Sequence, residues 1–150
     1  MKSIEELVKQ QPVYMNDWEG DGKITVLGAF FDIYLNEKDY LAPEAPYANV
    51  AHWLEKKALM DKVLDEHKNE TILFATYTYE NYEGSAWVLF YNEEDGKLYE
   101  VNGSHCSCYG LEGQWEPEET TLDALALRLK EGKLGEYNHF DVALKQFLGA

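Results

Sequence analysis

The chain has 150 residues, 45% of them hydrophobic and 14% aromatic, and 28 acidic against 13 basic side chains leave a formal net charge of −15. Such a composition suits one domain with a sizeable core and excludes disorder; no apolar run reaches the roughly 18 residues a membrane helix needs. Direct nucleic-acid binding is disfavoured as well, because phosphate neutralisation needs clustered Lys and Arg and the only arginine is Arg128.

The N-terminal MKSIEELVKQQP has no apolar core of a signal peptide. It predicts a short helix from Ser3 to Gln10, with Ser3 as N-cap, Glu6 three residues on and Pro12 beyond its end. Asp17 to Gly22 is a turn. Lys23 to Leu35 is apolar and rich in β-formers, which predicts one or two strands with a bend at Gly28. Pro43 and Pro46 mark a connector. The longest helix is expected from Tyr47 to about Lys68, with Val50, Trp53, Leu54, Met60 and Leu64 at helical spacing and Lys57 and Asp61 intruding on that face.

Thr71 to Tyr79 is the clearest strand, with Leu73, Ala75, Tyr77 and Tyr79 on one face and Ile72, Phe74, Thr76 and Thr78 on the other. A Glu80–Gly84 turn leads to a second strand, Ala86 to Tyr91. Asp95-Gly96 is a tight-turn signal before a third, Lys97 to Asn102. Thr120 is expected to cap another helix, with Asp123 completing a capping box, Leu122, Leu125, Ala126 and Leu129 facing the core, and Gly132 at C′. A last helix spans Asn138 to Leu148. The expected fold is a single α+β domain over residues 1–150, an antiparallel β-meander of three or more strands packed with helices.

The charge is uneven. Glu70 to Asp123 holds twelve carboxylates, one base (Lys97) and both cysteines. His105-Cys106-Ser107-Cys108 raises two chemistries. Cys106 and Cys108 on one face, with His105 on the other, would supply half of a tetrahedral zinc site, and His139 or a carboxylate brought in by folding could complete the set. A cysteine nucleophile would need a base within hydrogen-bond reach, and the acidic surroundings should raise its pKa. The plain alternative is two small apolar residues. Two cysteines make no disulfide framework, and the cytoplasm is the expected compartment.

Asp17-Trp18-Glu19-Gly20-Asp21-Gly22-Lys23-Ile24 matches the front half of a calcium loop. It lacks the bidentate Glu at position twelve, which is Gly28, so the simpler reading is an Asp/Gly turn. Glu116, Glu118 and Glu119 most simply favour the N-terminus of the following helix. No phosphate-cradling loop, G-x-S-x-G or H-E-x-x-H occurs, so the enzyme reading is thin and no cofactor is expected. What remains is an acidic aromatic surface. Tyr82, Tyr109 and Trp115 would be its anchors, ringed by Glu83, Glu93, Glu94, Asp95, Glu116, Glu118 and Glu119.

The block LYEVNGSHCSCYGLEGQWEPEETTL, from Leu98 to Leu122, resembles small acidic proteins encoded by bacteriophages and their hosts, with HCSCYGLEGQWEPEE its most specific part. The resemblance implies a phage or prophage setting, in which small acidic proteins often inhibit host enzymes. The expected function is a non-enzymatic acidic binding protein that modulates a basic host protein, one that handles nucleic acid or serves in defence. The alternative is a metal- or thiol-dependent enzyme centred on His105, Cys106 and Cys108.

Overall fold

The computed structural model describes residues 1–150, folded into six helices and five strands. Helix α1 (Ile4–Lys9) starts as expected: Ser3 accepts from the Glu6 backbone N–H while the Glu6 carboxylate accepts from the Ser3 N–H, closing the capping box. A four-residue strand β1 (Val13–Asn16) and the Asp17 turn follow.

The stretch expected to be strand is instead helix α2 (Lys23–Phe30). Its residues are apolar almost all round and Val26, Leu27, Gly28 and Phe30 are all buried, so no periodicity separates helix from strand. Tertiary structure decides. The N-cap, Gly22, has no side chain to cap with, and Glu37 does so from a distance. Its carboxylate accepts from Gly22 N at 2.9 Å, Thr25 N at 3.1 Å and Thr25 Oγ1 at 2.5 Å. Gly28 permits contact, not a bend: a Cβ there would stand 3.1 Å from the Leu35 carbonyl oxygen. Glu37 itself opens α3 (Glu37–Tyr40), capped by Asn36.

Helix α4 (Val50–Glu66) begins at its Asn49 cap, later than Tyr47. Trp53 and Met60 bury against Ile33 and Leu35, but Val50 and Leu54 face solvent, so the expected stripe holds only in part.

The meander is present and longer than expected: β2 (Glu70–Glu80), β3 (Glu83–Asn92) and β4 (Lys97–His105), all antiparallel. A β-bulge between Ile72 and Phe74 breaks the expected alternation. Leu73 and Phe74 therefore share one core with Trp87, Leu89 and Leu98, while Ile72 and Ala75 join Ala86, Val88, Phe90 and Val101 in the other. β1 pairs parallel with β2, and β5 (Glu118–Thr120) pairs antiparallel with β4, giving the order β1-β2-β3-β4-β5.

Both faces of this sheet are covered. Leu7 of α1 packs on the first face with Leu125 and Leu129 of α5 (Leu122–Lys130) and Leu144, Phe147 and Leu148 of α6 (Asp141–Leu148). Val26 and Phe30 of α2, with Trp18 and Leu111, cover the second. The cap of α5 is Thr121, which accepts from Ala124 N at 3.1 Å; Thr120 ends β5, so Asp123 closes no capping box. Gly132 sits at C′ with φ +69°, as expected. The single arginine is structural. Arg128 donates two hydrogen bonds, 2.5 and 3.0 Å, to the buried Glu100 carboxylate, which also accepts from Trp87 Nε1 at 3.2 Å.

Candidate binding cleft

In a meander successive turns lie at opposite ends of the sheet, and this divides the expected binding surface. The Gly84–His105 pairing brings the cysteine loop to the β2–β3 turn, where Tyr82 and Glu83 are exposed. Glu93, Glu94 and Asp95 occupy the β3–β4 turn at the other end, and Glu119 of β5 lies 3.6 Å from Lys97 beside it. The ten residues of β3 separate the two ends by roughly 30 Å. Glu116 leads into β5 and Glu118 opens it, and both are exposed. The carboxylates thus form no single face.

Trp115 does not stand free as an anchor. It is half-buried, stacked on Phe90 with centroids 5.6 Å apart and set edge-on to Phe30 at 5.1 Å, so it roofs the second core. Tyr109 and Tyr82 do stand out, 57% and 70% exposed.

His105, Cys106 and Cys108 do not gather as metal ligands: no group of three or more His, Cys, Asp or Glu side chains is placed to hold an ion. His105 is engaged elsewhere. Its Nδ1 lies 3.1 Å from the Cys106 carbonyl, which can only accept, so the proton is assigned to Nδ1 and Nε2 accepts from the Tyr77 hydroxyl. Burial, and then the acidic and phenolic neighbours Asp17, Tyr34, Tyr79 and Glu112, push the Tyr77 phenol up to about 12, which keeps it a donor. The His105 ring also stacks on Tyr79, centroids 5.0 Å apart. Gly84 makes this possible, because the ring occupies the space a Cβ would fill.

The thiol setting differs from the sequence expectation. Cys106 Sγ accepts from Cys108 N at 3.4 Å, and amide donors of this tight turn hold its pKa below the ordinary thiol value despite the acidic surroundings. The base is missing: both ring nitrogens of His105 are directed at Tyr77 and at a carbonyl, so the Cys–His pair of the rival enzyme reading is not assembled.

These groups line a cleft of about 510 Å³. One wall is the end of the sheet, with Tyr77, Tyr79 and His105; a second is the cysteine loop through Tyr109; the third is Asp17, Trp18 and Asp21, with Thr25 and Ala29 of α2 and Tyr34 after it. No lysine or arginine lines it. Backbone strain collects here. Of the six non-glycine residues with positive φ, Asn16 adjoins Asp17, Asp32 and Tyr34 follow α2, and Asn81 and Tyr82 form the β2–β3 turn; only His139 lies elsewhere.

The sequence groups Tyr82, Glu83 and Tyr109 in the acidic aromatic surface and His105 and Cys106 in the cysteine segment, gives Tyr34 no role, and reads Asp17 and Asp21 as half of a calcium loop or, more simply, a turn. The acidic DWEGD run was the available signal. Compared with family models, curated proteins and solved structures, the chain matches none.

Proposed function

We propose that the protein is a non-enzymatic acidic binding protein that engages a basic protein, in keeping with a modulator of a host nucleic-acid-handling or defence protein. Recognition is assigned to the cleft end of the sheet, with Tyr82 and Tyr109 as anchors and the far acidic turn contributing only long-range steering. The observation that carries this reading is a cleft walled by tyrosines and carboxylates and lined by no cation. Surface tyrosines beside unpaired acids offer stacking area and countercharge to a basic partner.

The test is capture from host lysate at low salt, identification of the captured protein and rebinding with the purified partner. Affinity should fall steeply towards about 0.5 M salt, where the screening length drops to a few ångströms. It should also fall on Tyr109→Ala. Salt-insensitive rebinding, or an unchanged Tyr109→Ala variant, refutes the reading.

A further inference from the structure

Two side chains in the cleft have charge and no partner. Asp17 and Asp21 line it, yet neither enters any of the five salt bridges of the chain. The charges acting there agree in sign. Burial, and then the Glu37 carboxylate, shift Asp21 upward from its ordinary value. Tyr34 is raised by burial and by Glu112 and Asp32, and Tyr77 by burial and four acidic or phenolic neighbours. No lysine or arginine lines the cleft beside these carboxylates, so the concave site lacks a cation.

The walls narrow the choice of cation. Tyr34 is 54% exposed, Tyr79 46% and Tyr109 57%, and all three line the cleft. His105 and Tyr79 stack nearly parallel, 19° apart, and make one wall flat. Tyr34, although bulky, is held at φ +50°, and its hydroxyl reaches to Gly110 of the cysteine loop. A flat, delocalised, weakly hydrated cation suits aromatic walls with carboxylates at one side, since it stacks on rings and donates several hydrogen bonds at once. A compact ammonium is strongly hydrated and suits them less. The volume lies within the range of small-molecule pockets.

We propose that this cleft is a receptor for a guanidinium group, which stacks against Tyr79 and Tyr109 while Asp17 and Asp21 accept its N–H donors. The inference rests on the binding-protein reading and names the chemistry its partner presents. An arginine side chain of a protein and a free guanidinium compound share that chemistry.

Calorimetry on the full chain with N-acetyl-arginine amide, N-acetyl-citrulline amide and agmatine tests it. Citrulline keeps the shape but is neutral. The arginine amide should bind at least about tenfold more tightly than the citrulline amide, the scale of a desolvated cation–aromatic contact. Asp17→Asn with Asp21→Asn, which keeps side-chain size, should remove that preference while circular dichroism stays unchanged. Tyr79→Leu, at a partly exposed position, should weaken arginine several-fold and serves if the double variant misfolds. The arginine amide binding at least as well as agmatine assigns the site to protein-borne arginine; tighter agmatine assigns it to a free compound. Equal binding of arginine and citrulline amides, or an undiminished preference in a folded Asp17→Asn/Asp21→Asn variant, overturns the proposal. If arginine fails while the purified partner still binds with steep salt dependence, only this inference falls. If arginine binds and no basic partner is found, the receptor survives and the protein-modulator reading falls.

Discussion

Tyr82 offers the sharpest way to separate function from folding. The β2–β3 turn has two central residues, Asn81 at φ +52° and Tyr82 at φ +66°, the pattern of a type I′ hairpin turn. Asn tolerates that conformation and glycine is the usual second residue; a bulky tyrosine there costs about 1–2 kcal/mol. The ring recovers little of it, being 70% exposed. Tyr82→Gly removes the strain but adds unfolded-state freedom costing about 0.5–1 kcal/mol, so the net gain is between zero and about 1.5 kcal/mol. For a chain of this length 1 kcal/mol moves Tm by about 2–4 °C, so thermal unfolding should shift upward by up to about 3–6 °C. Losing an anchor tyrosine should cost the partner complex about 1–2 kcal/mol, roughly tenfold in Kd. Paired measurements by calorimetric unfolding and by rebinding of the purified partner therefore move in opposite directions. A fall in Tm of several degrees shows that the turn is not strained by Tyr82. A stable variant with unchanged affinity removes Tyr82 from the interface.

Four further outcomes follow from the geometry. Arg128→Met leaves the buried Glu100 carboxylate without its cation and should cost about 3 kcal/mol in urea unfolding, the low end for a broken buried pair because Arg128 is itself partly exposed. Burial alone would raise the Glu100 pKa, but hydrogen bonds from Arg128 and Trp87 outweigh it and hold the group below its ordinary 4.5. Its stabilisation is therefore complete above that value and lost as pH falls through the lower folded-state pKa; a stability–pH series should show this acid limb reduced in Glu100→Gln. Glu37→Ala strips α2 of its remote cap and should lower stability by about 2 kcal/mol, with amide exchange accelerated first at Gly22 and Thr25. Gly84→Ala drives a methyl into the His105 ring, and the ring nitrogen resonances of His105 should report loss of the Tyr77 hydrogen bond.

How much was legible follows from where each signal resides. The Ser3–Glu6 capping box, the Asp95-Gly96 turn and the apolar side of α5 are written within a few neighbouring residues, and each appears as read. The mistakes concern partners distant in sequence. α2 reads as strand because its side chains are apolar all round, and the cap that fixes it as helix comes from Glu37. β1 is four residues long and acquires its meaning only by lying beside Phe74 to Tyr77. At the bulge, one unpaired residue sends Leu73 and Phe74 to the same face, and no strict period of two anticipates that.

The site was harder to read for a related reason. A charge count treats every carboxylate alike, whereas folding sorts them by what they touch. Glu70 hydrogen-bonds His67 across 2.5 Å, Glu100 holds Arg128, Glu37 caps a helix and Glu119 faces Lys97. Those acids are occupied, and because Glu70, Glu100 and Glu119 belong to the twelve-carboxylate stretch, it overstates the charge open to a partner. Asp17 and Asp21 lie outside that stretch, where the chain is only mildly acidic, yet they have no counter-ion and share a cleft with accessible tyrosine rings. For recognition, an acid's weight depends on remaining unpaired beside a surface that excludes water, because only there does the Coulomb term outgrow screening. Tyr34, which lines the same cleft, is held at φ +50°, and strain of this kind persists only where the surrounding structure over-determines it.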